Sequence, residues 1–284
     1  MLERLLLSGL FFITTVAVGT DLTRLPVGDG HISTQPQSGS VWPCRTEGFG
    51  AHRVHTGPWL RDDGTFDFLN KPAAGGVVNW PHELSITVDG DSRKVSGNAL
   101  PSHPTAVFPK SKSDPTYQYS PNPNPIRAQS IVVELPTLPV MAIHASCVPL
   151  GPIGVLLTGG LFFNALDANG QDAVAHEILD SCQGHPAQNG TYHYHNMTSC
   201  LQEEGSAHSE LIGYAFDGFG IYGKRGVEGE ELTNASLDEC HGHEHPIVWD
   251  GQTTTLYHYH ATWEYPYTVG CFKGVSQFHP RRNR

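Results

Sequence analysis

Tyr192-His193-Tyr194-His195 and Tyr257-His258-Tyr259-His260 are the same four residues in the same order, 65 positions apart. Each copy trails a second shared stretch, Leu179-Asp180-Ser181-Cys182-Gln183-Gly184-His185 before the first and Leu237-Asp238-Glu239-Cys240-His241-Gly242-His243 before the second, 58 positions apart. Upstream of both, residues 154–164 align with 213–223 at an offset of 59. Chance can supply one such tetrapeptide in a chain with 17 His and 10 Tyr, but not ordered flanks at nearly constant offset as well. Residues 150–205 and 211–274 therefore read as two related units, the second with a longer loop before its tetrapeptide. Two copies are too few for a solenoid, so a pseudo-twofold pair is expected.

Side chains alternate across an extended strand, so His193 and His195 share one face while Tyr192 and Tyr194 share the other, and His258 and His260 behave alike. The tyrosines are expected in a core and the imidazoles in a cleft. A pseudo-twofold would bring both pairs to one shared pocket, with His185 and His243 as a third candidate from each unit. These six histidines form the expected metal set. Neutral imidazole suits several transition metals, with copper and zinc the first choices for a secreted all-nitrogen site. Three ligands with an open position would make the site catalytic in style, and four closed ligands structural. Asp180 and Asp238 are expected to fix imidazole tautomers, and with Tyr194 and Tyr259 to serve proton transfer. Two plainer readings stand beside this one: imidazoles hydrogen-bonded in a polar core, and acid–base catalysis without metal. His241 and His245, which alternate with His243, form at most an accessory set; His144, His176 and His208 read as ordinary surface or core residues.

The 31 Gly and 21 Pro leave little room for long helices, so the fold class is mostly β with short helices, a β-rich α+β arrangement. Residues 20–75 read as an irregular N-terminal extension pinned by Cys44, and 76–274 as the main domain. Val77–Trp80, Glu83–Val88 and Ser130–Leu135 are strand-like, and Asp89-Gly90 before Ser92–Val95 predicts a hairpin. Gln171–Ser181 is the one stretch read as a helix. Asp167–Asp172 lacks the full spacing of a calcium loop and reads as a polar turn.

Met1 to Gly19 has a charged start, an apolar stretch and small residues before Thr20, the pattern of a secretory signal peptide. Its cleavage would leave no stable membrane span and place the product outside the cell or in the secretory lumen. In that oxidising setting six cysteines are expected to form disulfides, and the repeat narrows the 15 pairings towards Cys182 with Cys200 and Cys240 with Cys271, leaving Cys44 with Cys147; thiolate ligation of a metal is the competing reading. Sequons at Asn189, Asn196 and Asn234 require those side chains at the surface if they carry glycan, and the first two predict an accessible rim beside the first tetrapeptide. A net charge of −11 argues against nucleic acid as a partner. The basic tail 275–284 reads as a solvated end.

The paired Leu-Asp-x-Cys-x-Gly-His and Tyr-His-Tyr-His stretches, with Phe216–Gly223 between them and Asn98-Ala-Leu-Pro-Ser-His103 and Pro121-Asn-Pro-Asn-Pro125 upstream, resemble the YHYH-domain family over Val77–Gly274. The resemblance implies secretion or export and carries no established reaction. Members tend to have glycine at the position of Ala99, which bears on the local turn. No Gly-x-Ser-x-Gly elbow, zinc-protease helix, phosphate loop or dinucleotide fingerprint is present. Three functions remain: a secreted metalloenzyme acting on a small metabolite in a tailoring step; a metal- or glycan-binding module with Trp249, Trp263, Tyr265 and Tyr267 as a stacking surface; and a disulfide-stapled structural protein of the cell surface.

Overall fold

The computed structural model describes residues 19–50, 54–201, 205 and 207–276. The leader at residues 1–18 and the arginine cluster at 281–284 lie outside the described residues. In chain order, β1 (Leu25–Pro26) pairs with β2 (Thr65–Phe66), and β3 (Leu84–Asp89), β4 (Ser92–Gly97) and β5 (Ile131–Pro136) make an antiparallel three-stranded sheet. There follow β6 (Met141–Ser146), β7 (Pro152–Leu156), β8 (Leu161–Phe163), a single helical turn α1 (Ala173–His176), β9 (Gly184–Pro186) and β10 (Tyr192–Tyr194). The chain continues through β11 (Leu211–Ala215), β12 (Gly220–Tyr222), β13 (Gly242–Trp249), β14 (Gln252–His260) and β15 (Phe272–Gly274), the last pairing back on β6. The protein is mostly β with short helices, as its glycine and proline content dictates.

Eight strands form one sheet in the order β13-β14-β12-β11-β7-β8-β10-β9. With β7–β10 matched to β11–β14, the order is the same from either edge, and so are the strand senses. At the centre β7 and β11 pair antiparallel, with Val155 opposite Tyr214, residues 59 apart. Tyr192, Tyr194 and Tyr259 are fully buried with Phe162, Phe216 and Phe219. Aromatic burial of this size, roughly 150–250 Å² per ring, anchors the sheet to its core.

The predicted hairpin forms, β3 and β4 meeting at Asp89 and Ser92, and residues 130–135 fall largely in β5. Val77–Trp80 supplies an isolated bridge at Val78 rather than a strand. The expected helix over 171–181 shrinks to α1: Asp172 caps it by accepting from the Val174 and Ala175 amides, Glu177 is already extended, and Ile178 and Leu179 are buried in the core. Asp167 closes the expected polar turn, accepting from the Asn169 and Gln171 amides at 2.8 Å each. Ala99 sits at φ 55, so the left-handed turn is kept by a residue that carries a Cβ there.

The disulfides are Cys44–Cys147, Cys182–Cys200 and Cys240–Cys271, the pairs towards which the repeat points. Residues 20–75 contain little regular structure, yet Leu25, Val41, Trp59 and Phe66 are buried in the common core. Arg93 of β4 is buried between the rings of Tyr214 and Trp249 and donates to both carboxylate oxygens of Asp250, which locks the small sheet to the β13–β14 turn. No helix among the described residues is long and apolar enough to cross a membrane.

Candidate metal centres

The register of β9 with β10 places His185 opposite His193, and that of β13 with β14 places His243 opposite His258. Period-2 alternation then adds His195 and His260 on the same faces. Two clusters result, and they do not merge. The expectation of one shared pocket fails because β10 and β14 are five strand spacings apart, about 24 Å along the sheet. The antiparallel central seam sends the two histidine-bearing strands towards opposite edges.

In the first cluster, Nε2 of His195 lies 3.2 Å from Nε2 of His185 and 3.1 Å from Nε2 of His193. Nδ1 of His193 donates to the Thr191 carbonyl at 3.1 Å and Nδ1 of His195 to the Asn164 carbonyl at 2.6 Å. A carbonyl only accepts, so both rings carry their proton on Nδ1 and turn an Nε2 lone pair towards each other. Lone pairs face to face repel unless a cation joins them. Two nitrogens on one tetrahedral zinc would stand ~3.3 Å apart for bonds of ~2.05 Å, close to the separations here.

Burial drives His195 down to about 4 against the pull of its carbonyl partner. His185 and His193 lie well below their ordinary value, again through burial first and neighbouring imidazoles second. All three are therefore neutral at physiological pH. The cluster opens on a cavity of about 700 Å³, walled by Phe163, by Asn122 and Asn124 of the proline-asparagine stretch, and by Phe49 of the N-terminal extension. Phe163 stacks on His193 with ring centroids 3.8 Å apart.

Glu177 and His55 also line this cavity, and neither was singled out from sequence. Glu177 Oε2 is 3.4 Å from His55 Nδ1 and 3.9 Å from His185 Nδ1. Burial pushes the Glu177 carboxyl up, but His55 and the Lys71 ammonium outweigh it and hold the group below its usual range. At the 58-residue offset the second unit has Ala235 instead of this carboxylate. No sequence signal marked the pair, because they meet only through the N-terminal segment folding over α1.

The second cluster joins five histidines: His208, His243, His245, His258 and His260, with ligating nitrogens all within 4.8 Å of one another. His258 and His260 donate through Nδ1 to the Leu256 and Gly223 carbonyls at 2.9 and 2.6 Å, repeating the pattern of His193 and His195. His208, read from sequence as ordinary, lies with its ring centroid 5.3 Å from that of His258 and 5.0 Å from that of His260. His245 was legible by alternation with His243. His208 was not, because it comes from the loop before β11 and has no counterpart in the first unit.

The remaining expected site residues go elsewhere. Asp180 and Asp238 do not fix imidazole tautomers, since backbone carbonyls do so. Each carboxylate instead closes a turn, accepting from the amides two and four residues on, and takes the hydroxyl of Tyr192 at 2.8 Å or Tyr257 at 3.0 Å. Tyr194 bonds His103 and Thr158, and Tyr259 donates to Asp217 at 2.5 Å. The alternation that gathers the imidazoles turns these hydroxyls to the opposite face, so the expected proton-transfer role for Asp180, Asp238, Tyr194 and Tyr259 is corrected to a structural one. His241 bonds Thr262 and stays outside the cluster. A third grouping, His103 with Cys182 and Cys200, offers no thiolate because its cysteines are bridged.

Residues 132–236 match the family model described as YHYH protein. This stretch is similar to the YHYH family. The match takes in the first cluster and His208 and ends before His243, a narrower span than the 77–274 over which the motifs resemble the family. No curated protein and no solved structure matches the chain. Within the matched stretch the sequon at Asn189 is exposed, whereas Asn196 and Thr198 of the next one are buried, so the predicted accessible rim holds on the Asn189 side of the strand and not at Asn196. Asn234 is half-buried and its amide donates to the Tyr265 carbonyl. Trp249, Tyr265 and Tyr267 are buried and Trp263 half-buried, which removes the expected stacking surface for a glycan.

Neutral buried imidazoles couple folding to pH. Burial lowers His258 to about 3 and His195 to about 4, whereas in the unfolded chain both return to ~6.5. Above pH ~6.5 neither state binds these protons; as pH falls from there towards ~4 only the unfolded chain takes them up, so stability is lost in that window. Urea unfolding of metal-free protein should show a loss of roughly 2 kcal/mol for each of the two on going from pH 7.5 to pH 5. A pH-independent midpoint across that range would contradict the assignment.

Proposed function

We propose that this protein is a secreted metal-dependent enzyme that acts on a small molecule, with His185, His193 and His195 holding a divalent transition metal, copper or zinc, at the floor of the 700 Å³ cavity. The observation that carries the reading is the convergence of three Nε2 atoms whose rings are buried, neutral and, for His193 and His195, pinned from behind by carbonyls. Three such ligands leave a coordination position towards the cavity, and a metal held there lowers the pKa of a bound water or polarises a substrate oxygen. Glu177, ionised beside the cluster, is the group in reach to take a proton, and His55 to pass it outward. The cavity volume suits a metabolite rather than a polymer. Three disulfides support export.

The test is metal content and access in the purified full chain. After loading with Co(II) and desalting, the wild type should retain metal that is lost in His193→Ala/His195→Ala, and azide should perturb the cobalt spectrum of that fraction alone. A folded wild type from which this fraction is missing, or whose spectrum azide leaves unchanged, overturns the reading.

A further inference from the structure

The second cluster differs from the first in what surrounds it. We propose that His208, His243, His245, His258 and His260 form a separate, closed metal site that holds a transition-metal ion for structure and not for turnover. Nε2 of His243, His245, His258 and His260 is in each case buried with no hydrogen-bond partner. An unsatisfied buried acceptor costs about 1–3 kcal/mol, so four aimed at one another make a poor core unless something occupies the centre. In three of the four the other nitrogen is already used: Nδ1 donates to the Pro246 carbonyl in His245, to the Leu256 carbonyl in His258 and to the Gly223 carbonyl in His260. His208 likewise donates through Nδ1 to the Ser209 carbonyl. Protonation cannot fill the gap, because crowded imidazoles in a buried cluster disfavour a second charge.

The repeat shows how the difference arose. At the offsets of 58 and 59 that relate the units, His245 and His208 correspond to Ala187 and Pro149. Ala187 lines the open cavity of the first centre, and none of the five histidines does. The longer β13–β14 hairpin, turning at Asp250 and Gly251, carries His245 over the position that the short β9–β10 pair leaves to solvent. His208 closes the other side. The same pair of strands thus makes a three-ligand site in one unit and a saturated one in the other. All-imidazole ligation suits Zn(II), Ni(II) or Cu(II) and excludes Ca(II) and Mg(II), which take oxygen. An ion there would bolt the loop before β11 to the outermost hairpin of the sheet.

The two sites are separable in the full-length chain. The variant His193→Ala/His195→Ala, titrated with Zn(II) after chelation, should still bind one ion, raise its melting temperature on binding, and as the Co(II) form give no azide response. Combining it with His258→Ala/His260→Ala should abolish the remaining equivalent. The milder His245→Ala, which installs the residue the first unit has, should weaken binding at least ~10-fold while the chain stays folded by circular dichroism. A folded first-site variant that binds no Zn(II), or that binds it with full affinity after His245→Ala, overturns the proposal. Loss of the azide-sensitive fraction from wild type, by contrast, bears on the first centre alone.

Discussion

Gly213→Ala should destabilise the protein by about 3 kcal/mol or more, and Gly154→Ala nearly as much, read as a lower urea midpoint with unchanged slope. A Cβ at Gly213 would stand 2.4 Å from the Val155 carbonyl oxygen, and one at Gly154 would stand 2.6 Å from that of Tyr214. Both obstacles are backbone, held by the ladder between β7 and β11, so neither can swing aside as a side chain would. These are equivalent positions in the two units, facing Leu156 and Ala215 across the central seam. The double variant should lose less than the sum of the two, because the first intrusion already opens the seam against which the second would clash. Wild-type stability in either single variant would mean that the two halves are not joined here.

Replacing Cys44 and Cys147 together by serine should cost about 4–5 kcal/mol, more than removal of either other bridge. The chain-entropy model ties the effect to loop length, and this bridge closes a separation of 103 residues, against 18 and 31 for the others. The consequence reaches the first histidine cluster. Cys44 leads into Arg45, Gly48, Phe49 and Gly50, one wall of the cavity, held also by the Cys44 amide donating to the Val148 carbonyl and the Gly50 amide donating to the Ala168 carbonyl. In the serine variant, proteolysis should cut first near residues 45–50, and azide access to the Co(II) form should become faster. If the region around residues 150–274 opens first instead, the N-terminal segment owes its place to packing and not to the bridge.

Much of this was legible in the residues themselves. Alternation in Tyr-His-Tyr-His decides that phenols and imidazoles part company, and the structure keeps Tyr192 and Tyr194 in the core while His193 and His195 line a cavity. The repeat pointed to the cysteine pairs, and the structure chose them among the alternatives. Asp180 and Asp238 misled, because a carboxylate two residues before a cysteine in a tight turn serves backbone amides first and then the nearest tyrosine, through its other oxygen in Asp180 and through the same oxygen in Asp238. Asn196 misled in the same way: a sequon is a pattern of residue types, and the types say nothing of the core packed over them.

The sequence alone determined which side chains share a strand face, because that depends on neighbours two residues apart, and the repeat pointed to the cysteine pairs, because each unit carries its own two cysteines. Only the tertiary structure decided that the imidazoles gather in two places and not one, that His208 and His245 complete the second set, and that Glu177 and His55 stand beside the first. Those outcomes rest on the sense in which β7 meets β11 and on where the N-terminal segment lies, contacts between residues far apart in the chain that no short-range pattern encodes.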